Sequence, residues 1–407
     1  MVQKTLKNKV TLFYEKMPHL HSVSIDLFVK SASRYENKMY CGTSYLINRL
    51  IYKKANCEQN QNLGNVFNAV TYKEFAHFNL KSAPNCFKKS IDAFYDALTD
   101  NEQLKKDFEC EKKLALDNII NNESDLLNCF EKFEFLNNSL SIPYFGEYNS
   151  LKNVELNELL QFKDEHYTGE NMFLIISGNI TDDDISYVQS VFSDGFLTKC
   201  RETKTEKTMI QTGRCKTIFD EDDYIDVKMA FSDNSGNVSK ENALVLSSII
   251  GGGDNSYLKK NFKKQKIDAD VYSEVNTYSD ILILNLSCSV ENKNVKKAIL
   301  SIFDSLKQIK NNVGDKEISL NIEFFINELI YLKDNPQKFN EEFFWEYITS
   351  KNIFDIDEKI KKYRSVNAES LRKCADELFD EKNLNVIIFG NCNSFGKKDL
   401  QEKAKIL

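Results

Sequence analysis

The stretch CGTSYLINRLIYKK, residues 41–54, decides how the chain is read. Its apolar positions Leu46, Ile47, Leu50 and Ile51 recur at three- and four-residue spacing, which marks one face of an α-helix rather than an alternating strand. Thr43 and Ser44 stand ahead of that face as caps, so the spacing predicts a helix of about three turns from 42 to 54. Whether its other face, with Tyr45, Asn48 and Arg49, is an ordinary polar side depends on what flanks it.

On the N-terminal side, residues 10–14 and 23–29 read as two strands joined by a turn at Met17-Pro18-His19. On the C-terminal side, 68–71 and 73–80 alternate as strands, and helices follow at 86–98 and about 104–120, with a mostly helical stretch to 162. Residues 171–180 form a buried strand and turn leading into an acid-capped helix near 181. Later segments read as a strand at 225–231, helices at 240–250, 257–265, 295–310 and 315–332, and strands at 281–290 and 384–391. The paired aromatics Phe324-Phe325 and Phe343-Phe344-Trp345 lie in helical-looking segments and read as core.

With 407 residues, 42% apolar and 28% charged, the chain is long enough for two packed domains. A net charge of -7, from 61 acidic and 54 basic residues mixed along the chain, leaves no basic face for phosphates, so nucleic-acid binding is not expected. No apolar run of about 18 residues is long enough to cross a membrane. The opening MVQKTLKNKVTLFYEK has no apolar signal core, and a cytoplasmic location is expected. The ten cysteines never form C-x-x-C and read as scattered reduced thiols. The four histidines are dispersed, and His19 and His21 fit a strand-entry turn better than a ligand pair.

An internal repeat orders these elements. NMFLIISGNITDDD from Asn171 and NLNVIIFGNCNSFG from Asn383 share an Asn start, an apolar strand and a Gly-Asn turn, each closing about half the chain. The polar run 201–208 has no apolar period. The expected domains are therefore 1–200 and 217–407, joined by a linker at 201–216.

In this order the chain resembles the pitrilysin-type (M16) metallopeptidases, especially the short forms related to the mitochondrial processing peptidase. The resemblance covers nearly the whole chain. It rests on residues 23–29, on Ser31-Ala32-Ser33-Arg34-Tyr35-Glu36 leading into Gly42-Thr43, on Asn68-Ala69-Val70-Thr71, on the strand 175–178 and on Gly251-Gly252-Gly253. It implies an α+β fold of two homologous halves, each a mostly antiparallel sheet packed with helices.

The family's zinc motif, H-x-x-E-H, lies on the helix after Gly-Thr, with a Glu on a later helix as third ligand. The resemblance places Tyr45 and Arg49 at the His positions, Asn48 at the base position and Asn118 at the third-ligand position, with Asp117 adjacent. A neutral phenol is a poor ligand, a guanidinium repels Zn²⁺ and an amide is no base. Arg49 is expected to pair with Asp117 or another local acid. The resemblance also implies a peptide-binding edge strand at Asn68, Ala69, Thr71 and Phe75, against the plainer reading of a sheet edge guarded by Lys73 and Glu74. It further implies close backbone approach at Gly251, Gly252 and Gly253. Lys263 and Asp270 fall at the positions of a substrate-binding Arg and Tyr, with Tyr272 nearby.

These implications point to a non-catalytic subunit that holds no metal or cofactor of its own. It pairs with a zinc-bearing homologue, as a heterodimer or else a homodimer, to form a peptide-processing chamber. Two other readings stay open: a peptidase acting through an atypical site, and a structural or peptide-binding protein.

Overall fold

The computed structural model describes residues 1–122, 126–196, 207–221, 223–311 and 313–392. The first half of the chain runs β1 (Val2–Thr5), β2 (Thr11–Lys16), β3 (Val23–Val29), α1 (Thr43–Ala55), α2 (Glu58–Gln61), β4 (Val66–Thr71), β5 (Ala76–Ser82), α3 (Phe87–Thr99), α4 (Asn101–Asn122), α5 (Leu126–Glu134), α6 (Tyr148–Asn153), α7 (Leu156–His166), β6 (Met172–Gly178) and α8 (Asp182–Phe192). The second runs β7 (Arg214–Ile218), β8 (Tyr224–Ser232), α9 (Lys240–Gly251), α10 (Tyr257–Lys264), β9 (Asp270–Thr277), β10 (Leu282–Glu291), α11 (Val295–Asn311), α12 (Asp315–Tyr331), α13 (Pro336–Ser350), α14 (Ile356–Arg364), α15 (Ala368–Leu378) and β11 (Leu384–Phe389).

Among the described residues the strands make two sheets, ordered β1-β2-β6-β3-β5-β4 and β7-β11-β8-β10-β9. The repeat is visible in this order. β2 runs parallel to β6 and β7 parallel to β11, while β3 and β8 run antiparallel beside them. The two Gly-Asn turns end β6 and β11 at Gly178 and Gly390, both at φ +130°, where a Cβ on Gly178 would meet the Ser22 carbonyl at 2.3 Å. The fold is therefore two copies of one α+β unit, with β1 added to the first. β1, β7 and β9 are strands that the sequence patterns do not reveal, because β1 is exposed throughout and β7 and β9 are sheet edges without clean alternation.

Contiguous halves do not describe the compact units. One unit is Met1–Asn128, Ser139–Glu206 and Tyr331–Phe354; the other is Cys129–Asn138, Lys207–Ile330 and Asp355–Leu407. Of the expected linker, 201–206 lie outside the described residues, and 214–216 already belong to β7. The reason for the departure is that a sheet has two faces to bury. In the first unit Val23, Ile25, Leu27 and Val29 join the core with Leu46, Ile47, Leu50 and Ile51 of α1. The opposite face is covered by α13, where Phe344 stacks on Phe28 at 3.6 Å and Phe343 meets Phe13 edge-on at 4.7 Å. In the second unit the end of α5 plays that part, with buried Phe130, Phe133 and Glu134. Phe324 departs from the expected core role and is 54% exposed on α12, while Phe325 stacks on Tyr363.

The start of α1 is fixed from outside the helix. Gly42, the N-cap, sits at φ +103° and passes close to Gly146, where a Cβ would meet Gly42 Cα at 2.3 Å. Thr43 and Ser44 are not the caps. Instead the buried Glu36 carboxylate accepts from Gly42 N–H at 2.7 Å, Ser44 N–H at 2.6 Å and the Ser44 hydroxyl at 2.5 Å. A carboxylate there satisfies orphan donors and favours the positive end of the helix dipole. Arg34, from the same SASRYE segment, pairs with Glu74 at 2.6 Å, and Lys73 donates to the Ile142 carbonyl at 2.7 Å. Lys73 and Glu74 are thus buried fasteners rather than guards of a solvent edge. Among the described residues, no helix is long and apolar enough to cross a membrane.

Glu134 is a buried polar contact of the α5 segment, accepting from Ser232 at 2.8 Å and Asn385 at 3.0 Å. Burial pushes its carboxyl up to about 6, against the opposing pull of Ser232, Asn385, Arg214 and Lys228. A folded value above the unfolded one means that stability from this group is full below the unfolded value and is lost as pH rises through about 6. Relative to Glu134→Gln, the native chain is expected to lose about 2 kcal/mol of stability between pH 4.5 and 7, measured by urea denaturation across that range.

Candidate functional site

The face of α1 opposite its core stripe carries Tyr45, Asn48, Arg49, Tyr52, Lys53 and Asn56 at the spacings that bring residues onto one helical side. With Ala69, Val70 and Thr71 of β4, Glu111 of α4 and Tyr144, they line a cavity of about 550 Å³. β4 is the last strand of its sheet, so its outer edge runs along this cavity unpaired with any strand among the described residues. Val66 and Val70 on it are 54% and 42% exposed.

The side chains at the centre are committed to one another. Arg49 donates from Nε at 3.1 Å and Nη2 at 2.8 Å to Glu111 Oε2. Lys53 lies 3.4 Å from the other Glu111 oxygen and 2.9 Å from Asp107. Arg49 Nη1 also reaches the Tyr45 hydroxyl at 3.4 Å, and Asn118 Nδ2 donates to that same hydroxyl at 3.2 Å. Burial works against the charge on Arg49, but Tyr45 and Glu111 outweigh it and hold the guanidinium above its ordinary value. Asn48 donates to Thr71 Oγ1 at 2.7 Å, and its buried Oδ1 has no hydrogen-bond partner.

Tyr45, Arg49 and Asn118, assigned to the three ligand positions by resemblance, therefore do converge. They do not fit a zinc ion: a fixed guanidinium stands in the middle, and neither a neutral phenol nor an amide compensates for it. Arg49 takes Glu111 as its acid, not Asp117, which is exposed. Glu111 escaped the sequence reading although it lies seven residues before Asn118, two helical turns along the same face. Tyr52 and Asn56, the C-cap of α1, lie seven residues after Tyr45 and Arg49, and Lys53 lies four after Arg49. Tyr144 sits in a loop and leaves no pattern.

The other expected residues fall in different places. Ala69 and Thr71 line the cavity, and Asn68 is exposed on β4. Phe75 is buried against Phe344 at 4.8 Å and does not line the cavity. Gly251, Gly252, Gly253, Lys263, Asp270 and Tyr272 belong to the second unit. Gly251 is buried where α9 meets β9, and a Cβ there would meet Ser273 N at 2.6 Å, so its bare backbone permits helix-on-strand packing. Gly252 and Gly253 are exposed beyond it. Lys263 is exposed on α10, Asp270 is exposed at the start of β9, and Tyr272 is half-exposed.

Known proteins resemble the chain along its length. Residues 11–136 match the family described as Insulinase (Peptidase family M16), and 153–323 match Peptidase M16 inactive domain. The uncharacterized zinc protease YmxG of Bacillus subtilis is 24% identical over 399 residues, covering 93% of this chain and 95% of its own. A peptidase M16 inactive domain structure from Pseudomonas fluorescens superposes with a TM-score of 0.87 at 12% identity, covering 97% of this chain and 98% of its own. A chain of complex III2 from Candida albicans does so at 0.86 and 16%, covering 99% of both. At these identities the structures share the fold.

Removing Glu111 takes the carboxylate from the half-buried Arg49, while Lys53 keeps Asp107; removing Asn118 leaves the Arg49–Glu111 pair intact. Glu111→Ala is therefore expected to cost about 3 kcal/mol and Asn118→Ala less than about 1 kcal/mol, compared by chemical denaturation.

Proposed function

The chain belongs to the M16 peptidase family, and from that premise we propose that it is a catalytically inactive subunit which binds extended peptide and pairs with a zinc-bearing homologue to complete a peptide-processing chamber. The observation that carries this reading is the lock of Arg49 on Glu111, with Tyr45 and Asn118 beside it, among residues that the resemblance assigns to the family's zinc positions. The surroundings of that centre are retained. Both sheets are present, the cavity is open, and β4 offers an unpaired edge of the kind that accepts a peptide as an added strand.

The cavity's chemistry favours binding over hydrolysis. Among its lining residues Glu111 is the carboxylate, and two cations hold it, so no free base faces the space. Hydrolysis through an atypical site gains no support from this lining. A pairing role is in keeping with the similar chain found in complex III2, a multi-subunit assembly.

Co-expression with a homologue from the same genome that carries an intact H-x-x-E-H motif tests the proposal. A one-to-one complex that cleaves peptide faster than the homologue alone is expected. Absence of a complex, with the homologue's activity unchanged, contradicts it.

A further inference from the structure

On the face of the first sheet that α13 covers, strand alternation brings polar residues together. Val23, Ile25 and Leu27 of β3 enter the core, so Ser24 and Asp26 point the other way, beside Asn79 of β5. Asp26 is wholly buried and His77 is 2% exposed. His77 Nε2 and Asn79 Nδ2 each lie 2.8 Å from Asp26 Oδ1; Ser24 Oγ and Asn340 Nδ2 each lie 2.7 Å from Asp26 Oδ2. Glu341, next to Asn340 on α13, stands at the half-exposed rim, and ligand atoms of Asp26, His77 and Glu341 all lie within 4.8 Å of one another.

Two features separate this cluster from an ordinary hydrogen-bonded anchor. The first is charge. Among the described residues, neither Asp26 nor Glu341 has a Lys or Arg within ion-pair distance, and the basic group beside Asp26 is the imidazole of His77. A buried carboxylate without compensation is costly. The second is a pair of orphans: Asn79 Oδ1 and Asn340 Oδ1 are buried without any donor, although the other end of each amide rests on Asp26. Turning each amide about its terminal bond places an oxygen where its Nδ2 now stands, beside the Asp26 carboxylate. The phenol of Tyr72 registers the same negative field, pushed up to about 12 by burial and by Glu341 and Asp26. The imidazole is held in place by Phe28, stacked on it at 4.0 Å, with Phe344 on the other side of Phe28.

We propose that Asp26, His77 and Glu341 bind one divalent transition-metal ion, with the amide oxygens of Asn79 and Asn340 completing its shell, and that this ion fastens α13 to the first sheet. One imidazole among carboxylate and amide oxygens suits Mn²⁺, Fe²⁺ or Zn²⁺. On binding, neutral His77 presents its Nε2 lone pair to the ion and carries its ring proton on Nδ1, so the Nε2 contact to Asp26 Oδ1 gives way to the metal. Tyr45 and Arg49 take no part.

The test is titration of the chelator-treated full chain with Mn²⁺ and with Zn²⁺, by calorimetry and by thermal unfolding. Binding of one equivalent with a rise in Tm is expected. Glu341→Gln, at the rim and outside the buried core, should weaken binding at least tenfold, and His77→Gln should do the same, while Tyr45→Phe leaves it unchanged. The proposal is overturned if the native chain shows no saturable binding of either ion, or if binding survives Glu341→Gln undiminished.

Discussion

A helix presents its side chains usefully only where its first turn is held, and in this chain that hold is a single buried carboxylate. Glu36 takes two backbone donors and a hydroxyl at the start of α1 and so sets the rotation of the helix against β4 and α4. From that setting, Arg49 meets Glu111, Tyr45 meets Asn118, and Asn48 meets Thr71. The helix face to which the family resemblance assigns the zinc ligands carries groups that neutralise one another. A guanidinium that would repel Zn²⁺ has acquired its own carboxylate, which removes the cost of leaving a positive charge half-buried.

The repeated architecture solves the burial problem twice with complementary chemistry. The first sheet offers a carboxylate, Asp26, to an amide on the covering helix, Asn340; the second offers an amide, Asn385, to a carboxylate on the covering segment, Glu134. Aromatic side chains pack on the same covering segments, and the buried hydrogen bonds fix register. Because each cover comes from the other half of the sequence, neither compact unit is a contiguous piece of chain.

Much of this was legible in the sequence, and the rest was hidden for identifiable reasons. The apolar stripe of α1 and the two Gly-Asn strands follow from periodicity, so the elements and the repeat could be read directly. The ligand positions needed the family resemblance, since Tyr45, Arg49 and Asn118 carry no motif of their own. Glu111 was readable only after α4 was known to face α1. Thr43 and Ser44 looked like caps because cap residues are recognised locally, whereas the true cap comes from a loop before the helix. The exchange of α13 and the α5 segment was invisible, as an amphipathic helix does not specify which sheet it covers.

The central claim is that the Arg49–Glu111 pair has displaced metal-dependent catalysis from this chain. The most direct measurement is hydrolysis of a quenched-fluorescent peptide library by the purified chain alone, with added Zn²⁺ and with a chelator. The account predicts no turnover above background under either condition. Zinc-dependent cleavage that the chelator abolishes and that Glu111→Gln or Arg49→Ala alters would contradict it.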